Sequence, residues 1–303
     1  MLRQTIEQYL DIRGVVGFEL KVDAGLLRDF ALFAEDRSEN YVRRQTAIDW
    51  AAKAPSAYQQ ERRLGIVRRF AEHARAEDPR YEIVPQNVFA NGKHRRPLPY
   101  IFSSEELLEL LDATTFLRPR GSLRKLTYYT LFGLVATAGL RVSEAMHLVL
   151  EDITTDGLVI RESKFRKSRL LPLHETTQAA LQRYLEQRKT VGGADEHVFI
   201  STKGRALTYA MINGTFHHLL KRIRLHLRCG QPPRIHDLRH YFAVRVLENC
   251  PDGYEHASRH ILALSTYLGH THATDTYWYL QATPCLMVRI ADACEAFVQG
   301  GRS

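Results

Sequence analysis

The sequence predicts a mainly α-helical protein with a small β-hairpin, arranged as two domains. Apolar residues recur at helical spacing through most of the chain, which is the pattern of amphipathic helices. Two short apolar runs, residues 158–162 and 168–173, interrupt that period and flank the basic turn KFRK, as the strands of a hairpin do. Residues 79–99 hold several prolines and a glycine without helical periodicity, so they separate the two domains.

The N-terminal domain is predicted to span residues 1–92 and to be helical. Apolar stripes at helical spacing lie at residues 26–33, 48–54 and 64–73. A linker follows at residues 93–100, and the second domain occupies residues 101–303. Arginines decorate the helices and the linker is basic, which suits a DNA-facing surface, although solvated helix faces carry similar charge. The candidate DNA-binding residues are Arg43, Arg44, Arg62, Arg63, Lys93, Arg95 and Arg96.

The second domain begins at a helix start signal. Ser103 precedes Glu106 by three positions, the spacing of a capping box, and an apolar run follows. A long helix over residues 123–138 ends at Gly139, because glycine readily adopts the left-handed conformation that closes helices. Beyond the hairpin we predict a strand-like segment at 197–201 and helices over residues 176–187, 207–227, 235–248, 254–268, 273–281 and 287–298.

Charge and cysteine usage indicate the setting in which the protein works. The net charge of +8 and the sequence pI of about 9.3 favour an anionic partner, usually DNA or RNA. The 4 cysteines form no C-x-x-C pair and lie beside no histidines at zinc-ligand spacing, so we expect reduced thiols and no metal. The chain lacks a signal-peptide pattern and a membrane-length apolar run. We therefore expect a cytoplasmic, nucleoid-associated protein.

Three separated segments and the hairpin hold side chains suited to phosphodiester transfer. Two arginines can neutralise the phosphate oxygens, a tyrosine phenol can attack to form a covalent intermediate, and a lysine or histidine can protonate the departing 5′ oxygen. The residues are Arg141 and Glu144 in GLRVSEA, Lys164 and Lys167 in the hairpin turn, His236 and Arg239 in IHDLRHY, and His270, Tyr277 and Tyr279 in LGHTHATDTYWY.

Each of these features also has an ordinary explanation. A single arginine in GLRVSEA is commonly a surface ion-pair partner, turn lysines are commonly solvated, and helical tyrosines commonly pack in the core. His236 and His240 have the i, i+4 spacing of half a zinc site, but no glutamate stands between them in the usual position and no third ligand is evident. Residue chemistry alone therefore leaves several functions open.

The ordered segments together resemble the tyrosine recombinase family, also called the phage integrase family. GLRVSE is similar to the family's first arginine box and HDLRH to its second, while LGH is followed by a tyrosine nine positions after its histidine. The resemblance implies a catalytic set of Arg141, Lys164, His236, Arg239, His270 and Tyr279, with Glu144 in support. It covers residues 98–298, and the N-terminal domain resembles the family's helical core-binding domain only in size, helical pattern and charge.

Two assignments within the resemblance have local rivals. Tyr277 and Tyr279 would point to nearly opposite sides of a helix, so only one can face the phosphate, and the spacing from LGH favours Tyr279. Lys167 competes with Lys164, because the turn KFRK departs from the glycine-rich turn that is usual in the family. His272 matches no family position and is interpreted as a surface histidine.

The resemblance implies a mechanism and partners. Tyr279 would attack a phosphate held by Arg141 and Arg239, giving a 3′-phosphotyrosyl bond and a 5′-hydroxyl protonated by Lys164. No cofactor would be required. Four protomers on two double-stranded DNA sites would exchange strands through a Holliday junction, for integration, excision or transposition of a mobile element. Accessory DNA-bending proteins of the host or the element are candidate partners.

Two other functions share many of these features. A type IB topoisomerase-like enzyme would use two arginines and a tyrosine to relax supercoils without exchanging partners. A DNA-binding protein with a relic site would bind without cleaving. A recombinase and a topoisomerase both form a covalent adduct with DNA, and a DNA-binding protein with a relic site does not. A product that joins two sites distinguishes recombination from relaxation.

Overall fold

The fold divides into two units, Met1–Pro97 and Leu98–Ser303. The computed structural model describes residues 1–16, 21–89, 99–163, 167–191, 195–225, 232–249 and 254–269, together with residues 276, 279 and 288. The division between the units falls inside the segment that the sequence marks as a linker. The described residues confirm the predicted fold class, which is mainly helical with a small antiparallel sheet.

The first unit is built from helices around one apolar core. Its helices are α1 (Leu2–Val15), α2 (Lys21–Glu35), α3 (Arg44–Ala52) and α4 (Ala57–Arg75). Phe30, Trp50 and Phe70 are fully buried, and the rings of Phe30 and Trp50 meet edge to face at 5.4 Å. The apolar stripes found in the sequence therefore mark the faces that the helices bury against one another.

The second unit is also dominated by helices, with most of its apolar residues in one core. Its helices are α5 (Ser104–Ala113), α6 (Arg124–Ala138), α7 (Val142–His147), α8 (Glu175–Arg188), α9 (Tyr209–Arg222), α10 (His236–Glu248) and α11 (Tyr254–Leu268). The capping box predicted at Ser103 is confirmed, because the Ser103 hydroxyl accepts from the Glu106 amide and the Glu106 carboxylate accepts from the Ser103 amide. None of the described helices is both long enough and apolar enough to span a bilayer.

The described strands form an antiparallel sheet in the order β1 (Ile153–Thr154), β2 (Gly157–Ser163) and β3 (Lys167–Leu171). β2 and β3 are the two arms of the predicted hairpin. Leu158 lies opposite Leu171 and Ile160 lies opposite Arg169, and the register shifts between Ile160 and Ser163. Residues directly opposite one another share a face of the sheet, so Arg169 lies on the same face as the buried Ile160.

One predicted strand-like segment pairs only irregularly, and two predicted helices lie largely beyond the described residues. Residues 197–201 make only isolated bridges, Val149 with His197 and Ile200 with Ala206, in place of a strand. Val198, Phe199 and Ile200 are buried, and backbone hydrogen bonds join this segment to residues 148–150 and 205–207, but the pairing is too interrupted for a regular strand. Of the helices predicted at 273–281 and 287–298, the structure describes residues 276, 279 and 288, all helical.

Candidate active site

The candidate site is organised by a sharp turn between α6 and α7. Gly139 closes α6 with φ of 61°, in the left-handed region that glycine tolerates, and Arg141 caps the start of α7. The turn aims Arg141 at the C-terminal end of α11. Arg239, on α10, reaches the same end of α11.

Arg239 is anchored by the carbonyl ends of two helices. Its side chain is 1% exposed, and its Nη1 and Nη2 atoms donate to the carbonyls of Gly139 and Leu268, each at 2.7 Å. Gly139 ends α6 and Leu268 ends α11. The last carbonyls of a helix lack intrahelical partners and carry partial negative charge, so a buried guanidinium is well matched to them.

Arg141 is held in a related way but remains partly exposed. Its Nη1 donates to the Glu144 carboxylate at 2.7 Å and its Nη2 donates to the Gly269 carbonyl at 3.0 Å. The side chain is 20% exposed, in contrast to Arg239. The C-terminal end of α11 therefore supplies an acceptor to each arginine, through Leu268 and Gly269.

Gly139 offers a direct test of this turn. The Gly139→Ala substitution is expected to lower the free energy of unfolding by about 2–4 kcal/mol, because the residue has positive φ and a Cβ would lie 2.4 Å from the Phe242 ring. Denaturant unfolding measures the loss. In Gly133→Ala, on the same helix, a Cβ meets nothing within 4 Å, and a gain of about 0.5–1 kcal/mol is expected. Equal effects at the two positions would contradict the steric explanation.

The Glu144 carboxylate accepts four hydrogen bonds and so links Arg141, at the start of α7, to Arg169 on β3. Its carboxylate accepts from the backbone amide and Nη1 of Arg141, and from Nη1 and Nη2 of Arg169, both at 3.0 Å. Arg239 Nη1 lies 3.9 Å from the same carboxylate. Burial alone would raise the pKa of Glu144, but the hydrogen bond and charge of Arg169, followed by those of Arg141, lower it below its ordinary value.

The Glu144→Gln substitution is expected to cost on the order of 3 kcal/mol of unfolding free energy at neutral pH, because it leaves the partly buried guanidiniums of Arg141 and Arg169 without their counter-charge. A carboxylate with a lowered pKa in the folded state stabilises the fold above its ordinary pKa and loses that contribution as pH falls through the folded value. The difference from the wild type should therefore shrink as the pH falls below 4.5, the ordinary pKa of the carboxyl. Denaturant unfolding at several pH values measures it, and a difference independent of pH would refute the ion-pair explanation.

The charges of three other predicted residues, Arg141, Glu144 and Tyr279, act on the pKa of Arg239. Burial and then the charge of Arg141 lower the pKa of Arg239 to about 10, while the Tyr279 phenol and the Glu144 carboxylate act to raise it. Even so, Arg239 stays a cation at neutral pH. Arg141, Arg239 and Tyr279 are therefore close enough to influence one another, although 138 positions of the numbering separate residue 141 from residue 279.

Tyr279 is buried between α10 and α11. It is 2% exposed and packs in an apolar cluster with residues that include Leu247 and Leu268. Its ring lies 5.2 Å from the ring of His240, which in turn lies 4.7 Å from the ring of His236. His236 is exposed at the first position of α10, so a row of rings runs from the protein surface to the phenol.

Comparison with known proteins decides the family. Residues 101–284 match the model of the phage integrase family. The chain belongs to the phage integrase family of tyrosine recombinases. Enzymes of this family cleave and rejoin DNA strands, so the chain is identified as a member of a class of DNA strand-transferases.

Relatives of this integrase-family chain match it over nearly its whole length. The Sinorhizobium fredii protein y4rB, whose name places it among the integrases and recombinases, is 38% identical over 297 residues, 94% of each chain. The tyrosine recombinase XerC of Oceanobacillus iheyensis is 25% identical over 296 residues, 92% of this chain and 90% of its own. A structure of the Tn1549 transposon integrase with transposon right end DNA has the same fold, with a TM-score of 0.69 at 19% identity over 100% of this chain and 99% of that one.

Several predicted residues of this tyrosine recombinase lie outside the described structure. They are Lys93, Arg95 and Arg96 of the linker, Lys164 of the hairpin turn, His270, and the rival Tyr277. Lys167 begins β3, and only its backbone is described. The structure therefore places Arg141, Glu144, His236, Arg239 and Tyr279 of the predicted set in the second unit.

The four arginines predicted to bind DNA lie in the first unit and have partners there. Arg43 pairs with Glu82 at 2.9 Å, Arg44 Nε donates to the Ile83 carbonyl at 3.2 Å, Arg62 lies 3.7 Å from Asp23, and Arg63 stacks over the Trp50 ring at 5.2 Å. The arginines of the two ion pairs, Arg43 and Arg62, are about half exposed, and ion pairs near the surface are weak. A phosphate could therefore compete for these arginines at little cost.

Sequence reasoning missed two residues of the site, Arg169 and His240. Arg169 stands two positions before the buried Leu171, and side chains two apart share a face of a strand. A charged residue on the core face of a strand requires a buried partner. The position of Arg169 two residues before Leu171 is therefore the sequence feature that indicates a role for it in the site. His240 has no signal in the sequence beyond the i, i+4 spacing from His236 that resembles half of a zinc site. Within the described ranges, no group of three or more acidic, histidine or cysteine side chains is placed to hold a metal ion.

Proposed function

We propose that this protein is a site-specific DNA recombinase that cuts and rejoins strands through a covalent bond between Tyr279 and a backbone phosphate. The observation that carries the proposal is that Arg141, Arg239 and Tyr279 meet at the C-terminal end of α11, where the arginines donate to the Gly269 and Leu268 carbonyls and the Tyr279 ring packs in a cluster with Leu268. The two cations bind a phosphate, and the phenol is the nucleophile beside it.

Arg141 and Arg239 are proposed to stabilise the charge that develops on the phosphate. Arg141 is one-fifth exposed, and its described side-chain hydrogen bonds use each Nη once, so further N–H groups of its planar fork can meet the phosphate oxygens. Arg239 is fixed by two helix ends, which preorganises its positive charge. Preorganised donors need no rearrangement when the transition state forms, and this is where they contribute most to rate.

The chemical step is a transesterification. A phenol ordinarily has a pKa near 10, and neighbouring cations favour the phenolate. The phenolate oxygen of Tyr279 bonds to phosphorus, the bond to the 5′ oxygen breaks, and that oxygen takes a proton from Lys164, with Lys167 as the rival donor. His236 and His270 contact the phosphate. One phosphodiester bond replaces another, so attack by a 5′-hydroxyl reverses the step without ATP.

The wider reaction follows the same reasoning. The first unit is proposed as the core-binding domain, with residues 93–100 as the linker and the linker cations on the DNA backbone. Four protomers on two duplex sites would exchange strands through a Holliday junction. The likeness to an integrase solved on transposon end DNA and the net charge of +8 support a mobile-element DNA as substrate.

The test begins by finding the site and then measures cleavage. The protein is incubated with fragmented genomic DNA of its host, stopped with detergent, and the DNA retained on protein is sequenced. A duplex carrying that site, nicked beside the cleavage position, then lets the short 5′-hydroxyl strand escape and the adduct accumulate. We expect a shifted band on a denaturing gel and a phosphate linkage on the Tyr279 peptide.

Each other outcome points to a different protein. Binding without an adduct would indicate a DNA-binding protein with a relic site. An adduct with relaxation of supercoiled plasmid, but no product from a plasmid carrying two sites, would indicate a topoisomerase. An adduct on another residue would remove Tyr279 from the mechanism.

A further inference from the structure

Arg169 is a partly buried arginine at the site, and the mechanism above assigns it no role. It grips Glu144 with both ends of its guanidinium, Nη1 to Oε1 and Nη2 to Oε2, each at 3.0 Å. The Arg169 side chain is 14% exposed and that of Glu144 is 5% exposed. A two-point contact between a planar fork and a carboxylate fixes orientation as well as distance, which a lysine cannot do.

The position of Arg169 on the hairpin connects this contact to a second segment of the site. Arg169 lies in the middle of β3, opposite Ile160 of β2. It stands two positions after Lys167 and five after Lys164, the two candidate proton donors. Glu144 belongs to α7 and also holds Arg141, so one carboxylate links the hairpin to a phosphate-binding arginine.

Arg169 also contacts a third segment, at the end of α11. A Cβ built on Gly269 would lie 3.0 Å from Arg169 Nη1 and 3.4 Å from its Cζ, and Gly269 has φ of 65°. The absence of a side chain at Gly269 therefore makes room for this guanidinium. The Gly269 carbonyl is the acceptor of Arg141, and the next residue is His270.

We infer that Arg169 is a positioning residue. It fixes the position of the hairpin relative to Arg141 and to Gly269 at the end of α11, and so brings the hairpin lysine to the departing 5′ oxygen. The inference rests on the proposed function. Arg169 acts through its neighbours and needs no contact with the DNA. Its loss should therefore impair protonation of the leaving group more than binding of the phosphate.

A substrate with sulfur in place of the bridging 5′ oxygen tests this assignment. A thiol has a pKa of about 8.5 and leaves as the thiolate without being protonated, whereas an alcohol oxygen needs a proton. Arg169→Gln is expected to slow adduct formation on the oxygen-bridged nicked duplex by about 10²-fold. On the sulfur-bridged duplex the same variant should recover to within about threefold of the wild type, because the step that it impairs is bypassed.

Two further variants make the experiment specific. Arg169→Lys keeps the charge but loses the fork, and we expect the same recovery by sulfur, so it serves if the glutamine variant does not fold. Arg161→Gln is the matched control, since Arg161 lies on β2 of the same hairpin and pairs with the buried Asp152. It should cleave both substrates like the wild type.

The outcomes separate this inference from the proposed function. Wild-type rates for Arg169→Gln on the oxygen-bridged duplex would overturn it, as would equal slowing on both substrates, which would mean that Arg169 acts through Arg141 or through stability alone. Absence of an adduct with the wild-type protein on either duplex would overturn the proposed function, and this inference with it.

Discussion

The Tyr279→Phe protein is expected to form no covalent adduct on the nicked duplex, a loss of more than about 10³-fold. Only the phenol oxygen is removed, and the ring keeps its place in the cluster with Leu247 and Leu268. Loss of one hydroxyl should lower the midpoint of thermal unfolding by no more than about 6 °C, and DNA binding should be retained. Gel analysis of the adduct, together with a mobility-shift measurement of binding, separates the chemical effect from a folding defect.

Tyr277→Phe is the matched control for this substitution. It removes the same atom two positions earlier in the chain, from the tyrosine that the spacing after LGH disfavours. The control protein should form adduct at the wild-type rate. The assignment of the nucleophile is wrong if the adduct survives in Tyr279→Phe and disappears in Tyr277→Phe.

The Arg239→Lys protein is expected to cleave about 10²–10³-fold more slowly than the wild type. An ammonium group is a point charge, and it cannot span the Gly139 and Leu268 carbonyls as the guanidinium does at 2.7 Å to each. A buried carbonyl left without a donor should also cost about 1–3 kcal/mol of unfolding free energy. Single-turnover cleavage and denaturant unfolding measure the two effects.

Arg245→Lys is the control for Arg239→Lys, because it shows whether any arginine-to-lysine substitution on α10 slows cleavage or lowers stability. Arg245 lies on the same helix, is half exposed and pairs with Glu248 at 3.0 Å. Its replacement should leave both cleavage and stability near the wild-type values. If Arg239→Lys cleaves as fast as Arg245→Lys, Arg239 has no role in binding the phosphate.

Mixing two inactive proteins tests whether each protomer uses its own tyrosine. Tyr279 influences Arg239 within one chain, so we expect a mixture of Tyr279→Phe and Arg239→Lys to form no more adduct than either alone. When each protomer uses its own tyrosine, every site in such a mixture lacks either the phenol or the guanidinium. Recovery of adduct in the mixture would show that a neighbouring protomer supplies the nucleophile.

Much of the fold that surrounds this site could be predicted, because local sequence signals mark its helix ends and its hairpin. Gly139 ends its helix in the left-handed conformation, Ser103 and Glu106 form the expected capping box, and two apolar runs form the arms of the hairpin. These features depend on a few neighbouring residues. The predicted helix over 207–227 ends earlier, at Arg222, because apolar periodicity does not fix where a helix stops.

The contacts that assemble the site could not be read in this way. The acceptors of Arg239 are backbone carbonyls, which every residue has, so no residue type identifies them. The pair of Arg169 with Glu144 joins β3 to α7 across 25 positions and depends on the packing of the sheet. His240 lies against the Tyr279 ring only because α10 and the segment of residue 279 come together in space.

The anchoring of Arg239 by two helix ends has an evolutionary consequence. A descendant that gave up catalysis would still need this guanidinium to join the ends of α6 and α11, so selection for foldability alone would retain it. Among homologues, an arginine retained at this position is therefore weak evidence of activity when it stands alone.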